Sequence, residues 1–514
     1  MTSIRPPSSL LFRGGIVLTH DENDRVVPLH EMDVLVRDNI IADIGKNISP
    51  PVGDTEVIDC KGKIISPGFV DTHHHLWQTQ LKGRHAEEGL VAYMYSGNMM
   101  SYAYTPEDMY WGQLSGCLEA INAGTTTVLD HAHCAYTPDH ATSALTATID
   151  LGIRAIFAYT VPTRISKWDK SQCVPEQDLI PEWALKQLGD LSEKHNSPGS
   201  LVEVAMGFDL WFLPKDMVLG IFGALRQSRL RLVTAHVGRN AFMGLQSQVQ
   251  KFKSYDLLRS PFAPAESSPD MPFLVLSHCN GISEEDLALL AASGTSISST
   301  PGTESQMMGY PVALDPVLKR EKAANVSLGV DCHSSESASI PLQARMLLQL
   351  TRVEKNAKMV AEGNFPSEDV TGTSEEVFNL ATIRGARCLG LNDQIGSIEV
   401  GKKADLVVFD AAGSVGMLSA AEYDPVVAIV RFSEAADIEC VVVDGVVRKR
   451  GGKLVSTKVS AEGKGELEWR DIAQEVRRSQ KEIQARIDGL SLEKARKTLL
   501  GMFHTDVSRL VDAV

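Results

Sequence analysis

Three features are scarce in this chain of 514 residues, and each scarcity excludes a class of protein. The 50 lysines and arginines are outnumbered by 65 acidic residues, and the resulting net charge of −15 argues against a nucleic-acid or anionic-membrane partner. Apolar runs are too short to predict a bilayer-spanning helix. The eight cysteines are scattered without close pairing, which is typical of reduced thiols and not of a disulfide framework.

The remaining composition is that of a globular protein. Hydrophobic residues make up 43% of the chain and charged residues 22%. Its length allows one large domain and a smaller one. Residues 1–11 do not read as a signal peptide, so we expect a cytoplasmic location.

Short apolar runs alternate with helix-length segments through the middle of the chain. Eight runs have this character: 64–70, 125–129, 153–158, 202–206, 232–235, 273–276, 295–298 and 326–330. Strands that are buried on both faces and alternate with helices are typical of a parallel sheet, and eight units indicate a closed (β/α)8 barrel.

Residues that can bind a metal or a substrate lie just after several of these runs. They are His73 and His75, His131, His236, His278 and Asp331. Barrel enzymes carry their chemistry at the carboxyl ends of the strands, so these side chains are expected to converge. In an extended strand His73 and His75 point to the same face, which gives half of a metal site.

Both ends of the chain are rich in short strand-like runs. We therefore expect an α/β protein with a barrel over residues 67–389 and a small β-sandwich built from residues 8–66 and 390–458. Residues 459–514 form a charged tail with apolar residues at helical spacing, which predicts a helix docked on the surface or on a second subunit.

Five motifs occur in order along the chain: Pro-Gly-Phe-Val-Asp-Thr-His-His-His at 67–75, Ala-Gly-Thr-Thr-Thr at 123–127, Ser-His-Cys-Asn at 277–280, Leu-Gly-Val-Asp at 328–331 and the stretch 396–410. On these motifs rests a resemblance to the amidohydrolase superfamily, in particular the branch of cytosine and guanine deaminases and s-triazine hydrolases. It implies one divalent metal ion, held by His73, His75, His236 and Asp331. It also implies that His278 faces the substrate.

Such a site would generate hydroxide from a metal-bound water near neutral pH. Asp331 could take the proton of that water, and His278 could stabilise the charge on the attacked atom. Gln78 lies where the family often contacts substrate, although it could equally be a solvated loop amide. Three histidines and an aspartate suit zinc, our first expectation, and also iron or manganese.

One position departs from the family pattern. The deaminases carry a proton-shuttling glutamate three residues after the fifth-strand histidine, and this chain has Arg239 there, which cannot act as an acid near neutral pH. Glu304 could replace that glutamate, or be an exposed loop carboxylate. The leaving group could instead need no proton. Arg239 itself could bind an anionic part of the substrate or point outward.

His131 and His133 form a second His-x-His pair, which could bind a second metal. We favour a single metal, with His131 or His133 as a polar wall of the pocket that contacts the substrate. Apolar side chains could line that pocket around a flat ring, namely Trp77, Trp211, Phe212, Met307, Met308 and Tyr310.

The sequence therefore predicts a metal-dependent hydrolase that attacks a C–N bond, other than a peptide bond, of a cyclic amidine, amide or aminated heterocycle. The alternatives are a different leaving group or a C–C or lyase step at the same metal and, from another class, a non-catalytic metal-binding scaffold. The expected partner is a small-molecule substrate, and the expected assembly is a homodimer.

Overall fold

The computed structural model describes residues 9–225, 228–263, 271–309, 311, 325–461 and 463–512. Its strands, in chain order, are β1 (Ser9–His20), β2 (Val26–Arg37), β3 (Ile40–Gly45), β4 (Thr55–Asp59), β5 (Ile64–Pro67), β6 (Phe69–His74), β7 (Thr125–Ala132), β8 (Arg154–Tyr159), β9 (Ile165–Trp168), β10 (Cys173–Pro175), β11 (Val202–Gly207), β12 (Leu232–Gly238), β13 (Phe273–Asn280), β14 (Ser296–Ser299), β15 (Asn325–Leu328), β16 (Leu406–Phe409), β17 (Ile438–Val443), β18 (Val446–Arg450), β19 (Lys453–Leu454), β20 (Thr457–Val459) and β21 (Gly465–Leu467).

The helices of the described residues pack mainly around the barrel. They are α1 (Leu90–Ser96), α2 (Pro106–Asn122), α3 (Pro138–Leu151), α4 (Glu182–His195), α5 (Lys215–Leu225), α6 (Gln248–Ser254), α7 (Glu284–Ser293), α8 (Pro301–Thr303), α9 (Ile340–Ala361), α10 (Ser374–Ala381), α11 (Ile383–Cys388), α12 (Leu418–Tyr423), α13 (Pro425–Val427), α14 (Trp469–Ile487) and α15 (Leu492–Met502). Among them we find none that is long and apolar enough to cross a membrane.

Eight parallel strands form the barrel, in the order β6, β7, β8, β11, β12, β13, β14 and β15. The last strand returns to the first just beyond β15, where the Asp331 amide donates to the His73 carbonyl at 2.8 Å and the His75 amide donates to the Asp331 carbonyl at 3.0 Å. Gly329 permits this approach, because a Cβ there would lie 2.7 Å from the His73 carbonyl oxygen. The predicted (β/α)8 barrel is confirmed.

A second sheet of nine strands is built from β1–β5 and β16–β19, which confirms a separate β structure formed by both ends of the chain. The predicted strand at 64–70 is wrong in one respect, because it spans two strands in two sheets. Residues Ile64–Pro67 pair with β16 in the nine-stranded sheet, and Phe69–His74 pairs with β7 in the barrel. Gly68 joins them where a Cβ would collide with Thr126.

The tail forms a short hairpin, β20 and β21, followed by α14 and α15. Helix α14 packs on α2 and on the segments that precede α2 in the same chain, with polar contacts to each. Ser479 donates to Asp108 at 2.6 Å and accepts from the Gln80 amide at 3.0 Å, and Arg486 donates to the Ala103 carbonyl at 2.6 Å. The tail therefore docks on its own barrel.

Candidate metal centre and active site

The carboxyl ends of the barrel strands bring the predicted ligands together. One possible ligand atom from each of His73, His236, His278 and Asp331 lies within 4.8 Å of the others. His75 belongs to the same cluster, because its Nε2 is 3.0 Å from Asp331 Oδ1, close to the 3.1 Å between that oxygen and His73 Nε2. The four predicted ligands and His278 thus meet at one point.

Hydrogen bonds from outside the cluster fix how the imidazoles face it. His75 Nδ1 donates to the His131 carbonyl at 2.8 Å, and His236 Nδ1 donates to Asp209 Oδ2 at 2.9 Å. Because these acceptors require the proton on Nδ1, a neutral ring presents the lone pair of Nε2 to the cluster. His73 is held at Nδ1 by Ser277 Oγ at 2.8 Å. Metal-binding histidines are oriented in this way.

The donor set fits a divalent metal ion. The Nε2 lone pair of His75 lies 3.0 Å from a carboxylate oxygen of Asp331, and two lone pairs repel at that distance unless a cation lies between them. A second ring proton is a poor cation here, because burial lowers the pKa of His75. A metal ion coordinated by the imidazoles and the carboxylate satisfies both partners.

The ionisation of His73 and of Asp331 also matches that of metal ligands. Burial lowers the pKa of His73 well below its usual range, which keeps the ring neutral. Desolvation raises the pKa of Asp331, but His278, His73 and His75 together outweigh this and hold that pKa well below its usual range. Neutral imidazoles and an ionised carboxylate are the forms that bind metal.

The backbone is strained at two of these residues. His278 and Asp331 both have φ near +72°, in the left-handed region that costs non-glycine residues free energy. Such conformations persist where the surrounding structure imposes them and are frequent at functional sites. Across the cluster, His278 Nε2 and Asp331 Oδ2 lie 3.9 Å apart.

Glu304 is a fully buried carboxylate behind His278. It accepts from Ser299 Oγ at 2.8 Å and from the Thr300 amide at 2.7 Å, and its Oε1 is 3.6 Å from His278 Nδ1. His278 Nδ1 is also within 2.9 Å of Thr300 Oγ1. This corrects the expectation of an exposed loop carboxylate. Because its oxygens accept from Ser299 and Thr300, and Thr300 Oγ1 is also the group that contacts Nδ1, Glu304 is linked to His278 through Thr300.

Asp209 is a neighbour of the cluster that the sequence reasoning missed. It follows β11 by two residues, its Oδ1 accepts from the His236 amide at 2.8 Å, and its Oδ2 lies 3.1 Å from His131 Nε2. Gly207 makes room for this contact, since a Cβ there would lie 2.9 Å from His131 Nε2. The signal available in the sequence was a polar residue just after the fourth barrel strand.

Asp209 and its two histidine neighbours control one another's charge. Desolvation raises the pKa of Asp209, but His236 and His131 outweigh it and hold that pKa well below its usual range. Burial lowers the pKa of His236, but Asp209 more than compensates, so the net shift is upward. Burial lowers the pKa of His131 to about 4, so its ring is neutral. His131 is not among the described residues that line the cavity, whereas His133 is.

Two residues predicted to bind substrate lie elsewhere. Arg239 is exposed and is not among the described residues that line the cavity, so the expectation that its guanidinium faces the substrate is not met. Its amide, at the end of β12, donates to the Asn280 carbonyl at 3.0 Å. Gln78 is buried behind the cavity wall and donates at 2.7 Å to Tyr93, which does line the cavity.

A cavity of about 260 Å³ opens beside His75, His236 and Asp331, and its wall is mostly apolar. Six of the apolar side chains that line it are Trp211, Phe212, Phe242, Met307, Met308 and Phe503. Tyr310 lies outside the described residues, and Trp77 donates to His133 instead of lining the cavity.

The C-terminal tail supplies part of this wall. The Phe503 ring, just after α15, lies 5.3 Å from Phe242 and 6.1 Å from Phe212. Thr505 Oγ1 donates to the Ala241 carbonyl at 3.1 Å, which ties the same segment to the barrel.

Comparison with known proteins supports the fold and the family. The Amidohydrolase family model matches residues 64–448, three quarters of the chain. A 5-methylthioadenosine/S-adenosylhomocysteine deaminase of Acetivibrio thermocellus is 26% identical and a 5'-deoxyadenosine deaminase of Methanobrevibacter smithii is 28% identical. Each alignment covers 82% of this chain and 89% of the relative.

Solved structures agree on the fold. An adenosine deaminase from Xanthomonas campestris with bound zinc superposes with a TM-score of 0.71 at 20% identity, over 93% of this chain and 100% of that one. A variant of the atrazine chlorohydrolase TrzN from Arthrobacter aurescens, complexed with zinc and atraton, gives a TM-score of 0.71 at 18% identity, over 92% and 100%. The family match confirms the predicted hydrolase of C–N bonds other than peptide bonds: the chain belongs to the amidohydrolase family.

Proposed function

We propose that this protein is a metal-dependent deaminase that hydrolyses the exocyclic C–N bond of an aminated heterocycle and releases ammonia. The main support for the proposal is that the Nε2 lone pair of His75 faces the Asp331 carboxylate at 3.0 Å, beside a mostly apolar cavity. When bound, a divalent ion supplies a water of lowered pKa, which is a usable nucleophile near neutral pH.

In this proposal each residue has a separate task. His73, His75, His236 and Asp331 would hold the ion. The three imidazoles would do so through Nε2, with their Nδ1 atoms held by Ser277, the His131 carbonyl and Asp209. Asp331 Oδ2 takes the proton of the attacking water and returns it to the leaving nitrogen.

His278 Nε2 donates to the atom on which negative charge develops. Thr300 Oγ1, which lies 2.9 Å from Nδ1 and 3.5 Å from Glu304 Oε1, holds the ring from behind.

The substrate class follows from the relatives and from the cavity. The similar deaminases are named after adenosine-type nucleosides, so an aminopurine nucleoside is the first substrate to test. The mostly apolar wall favours a substrate whose non-reacting part is also apolar, such as an alkyl or thioether substituent.

A second candidate is hydrolytic displacement of another leaving group, such as the chloride named in the atrazine chlorohydrolase. The observation that favours it is the exposed Arg239, which stands where the family resemblance predicts a proton-shuttling glutamate. A leaving group that departs as a stable anion needs no proton donor.

Three finer features belong to the proposal. Zinc is the proposed metal, since a histidine and carboxylate set suits it and both similar structures named above contain it. A cytoplasmic location is supported by the eight cysteines, which are all unpaired and buried. A homodimer stays a prediction from the family resemblance.

The experiment is elemental analysis of the purified protein together with a screen for ammonia release from aminopurine nucleosides, other aminated heterocycles and cyclic amides. We expect about one equivalent of metal and ammonia from at least one ring class. Metal with release of halide or alkoxide, but without ammonia, would favour the second candidate. Absence of metal even after reconstitution would contradict both.

Phe503 should influence affinity for the apolar part of the substrate. Replacing Phe503 by alanine removes an aromatic wall, so we expect KM for a thioether-bearing substrate to rise roughly tenfold with little change in kcat. The control is Phe365→Ala, an aromatic that is 81% exposed and not among the described cavity residues. Equal KM values for all three proteins would rule out a contact between the tail and the substrate.

A further inference from the structure

His133 faces the cavity, and neither metal binding nor proton transfer, as described above, uses it. It follows β7 by one residue, lines the cavity and packs its ring 4.0 Å from the ring of His75. Whatever it contacts therefore lies next to the metal centre.

Trp77 fixes the proton of His133. The Trp77 indole Nε1 donates to His133 Nδ1 at 3.2 Å, and an indole N–H can only donate. Nδ1 must therefore carry the lone pair, which leaves the ring neutral with its proton on Nε2. Trp77 is itself fully buried, with its ring edge-on to Tyr104 at 5.0 Å, so the donor has little freedom to turn away.

The Nε2 atom of His133 is a hydrogen-bond donor without an acceptor among the described residues. It exposes less than 1 Å² to solvent. Buried donors in folded proteins are nearly always paired, so an unpaired one at a cavity wall marks a place that a bound molecule completes. A protonated Nε2 cannot be a metal ligand, which leaves an acceptor atom of a ligand as its partner.

We propose that His133 Nε2 donates a hydrogen bond to an acceptor atom of the substrate's heterocycle, an unprotonated ring nitrogen or a carbonyl oxygen. The bond would orient the ring beside the metal centre and select rings that present an acceptor there. The inference deepens the proposed function and rests on it for the identity of the substrate. His133 is then a substrate-binding residue whose donor state is set by Trp77.

The test compares adenosine with its 1-, 3- and 7-deaza analogues, in each of which one ring nitrogen is replaced by C–H. Equilibrium binding and ammonia release are measured on the metal-loaded wild type and on three variants: His133→Phe, His133→Gln and Trp77→Phe. In the wild type, one analogue should bind about 10- to 100-fold more weakly than adenosine, because the donor is left without its acceptor.

In His133→Phe, the affinity for adenosine should fall by the same factor, and the affinity for the sensitive analogue should not fall further. His133→Gln keeps an N–H donor and should restore part of the affinity. Trp77→Phe lets the proton move to Nδ1 and should give an intermediate loss. Metal content should match the wild type in all three, which separates a substrate contact from damage to the centre.

If His133→Phe lost affinity for all ligands by the same factor, with no preference among the analogues, the inference would be overturned. The proposed deaminase function would still stand as long as ammonia release was observed. A wild type that binds every analogue as tightly as adenosine would also overturn the inference, without any variant. Analogue-selective binding without ammonia release would support the inference and count against the proposed deaminase. The two failures are thus distinguishable.

Discussion

Replacing Asp331 by asparagine should abolish metal retention and lower turnover by at least about a thousandfold while the protein stays folded. The residue has φ near +72°, a conformation that asparagine tolerates better than other non-glycine residues, so the backbone should not change. The substitution removes only the charge on which the cation and the proton transfer depend.

The metal-free variant should be at least as stable as the metal-free wild type. In the wild type, Asp331 Oδ1 faces the Nε2 lone pair of His75 at 3.0 Å, because the His75 proton is held on Nδ1 by the His131 carbonyl, and this arrangement is unfavourable without a cation. An asparagine amide can donate to that lone pair, which relieves the repulsion.

Elemental analysis, ammonia release and the Tm after chelation measure the three effects of Asp331→Asn. The matched control is Asp190→Asn, which removes a largely exposed carboxylate on α4 and should change none of them. If Asp331→Asn retained one equivalent of metal and full turnover, the site described here would be wrong.

The fold was largely predictable because burial leaves a strong pattern. Eight apolar runs separated by helix-length segments are typical of a barrel whose strands are buried on both faces, and each run contributes a barrel strand in the structure. The error at 64–70 has a physical cause: Ile64–Pro67 and Phe69–His74 are both fully buried, so hydrophobicity cannot tell to which sheet each belongs. Only Gly68, with no room for a Cβ, marks the change.

The candidate site was less predictable where contacts are long-range. The rule that barrel chemistry follows the strand ends brings His73, His236 and Asp331 together, because strand direction alone determines it. The rule does not determine the direction in which the side chain of Arg239 points, because this residue lies one position past the end of β12. An aspartate after a strand is also a common turn residue, so the role of Asp209 becomes visible only when His236 is found 2.9 Å away.

The strand-end rule could not reveal which residues contact the site side chains from behind. Glu304 was expected to be either a replacement acid or an exposed loop carboxylate, and its burial behind His278 depends on the Ser299 and Thr300 contacts that only the folded chain shows. The amphipathic tail predicted docking, but not that Phe503 would reach the cavity. The spacing of apolar residues predicts which face of a helix or strand is buried. The residues that this face contacts depend on the tertiary structure.

Asp209→Asn should weaken metal affinity by about 10- to 100-fold, the usual effect of removing a carboxylate that orients a metal-binding histidine. Asp209 Oδ1 accepts from the His236 amide, and Oδ2 requires the ring proton on His236 Nδ1, which frees Nε2 for the metal. In the variant the amide oxygen can keep the backbone contact, but its NH₂ group then faces Nδ1.

An NH₂ group there favours the tautomer with the proton on Nε2, the atom that has to bind the metal. Affinity is measured by competition with a chelator. Glu203→Gln, which alters a carboxylate near the other end of β11 that pairs with Arg231, should leave it unchanged. A fall in turnover at saturating metal, beyond the loss of affinity, would show that Asp209 also acts on the substrate. Unchanged affinity would mean that Asp209 does not set the tautomer of His236, and the metal centre would need another explanation for its orientation.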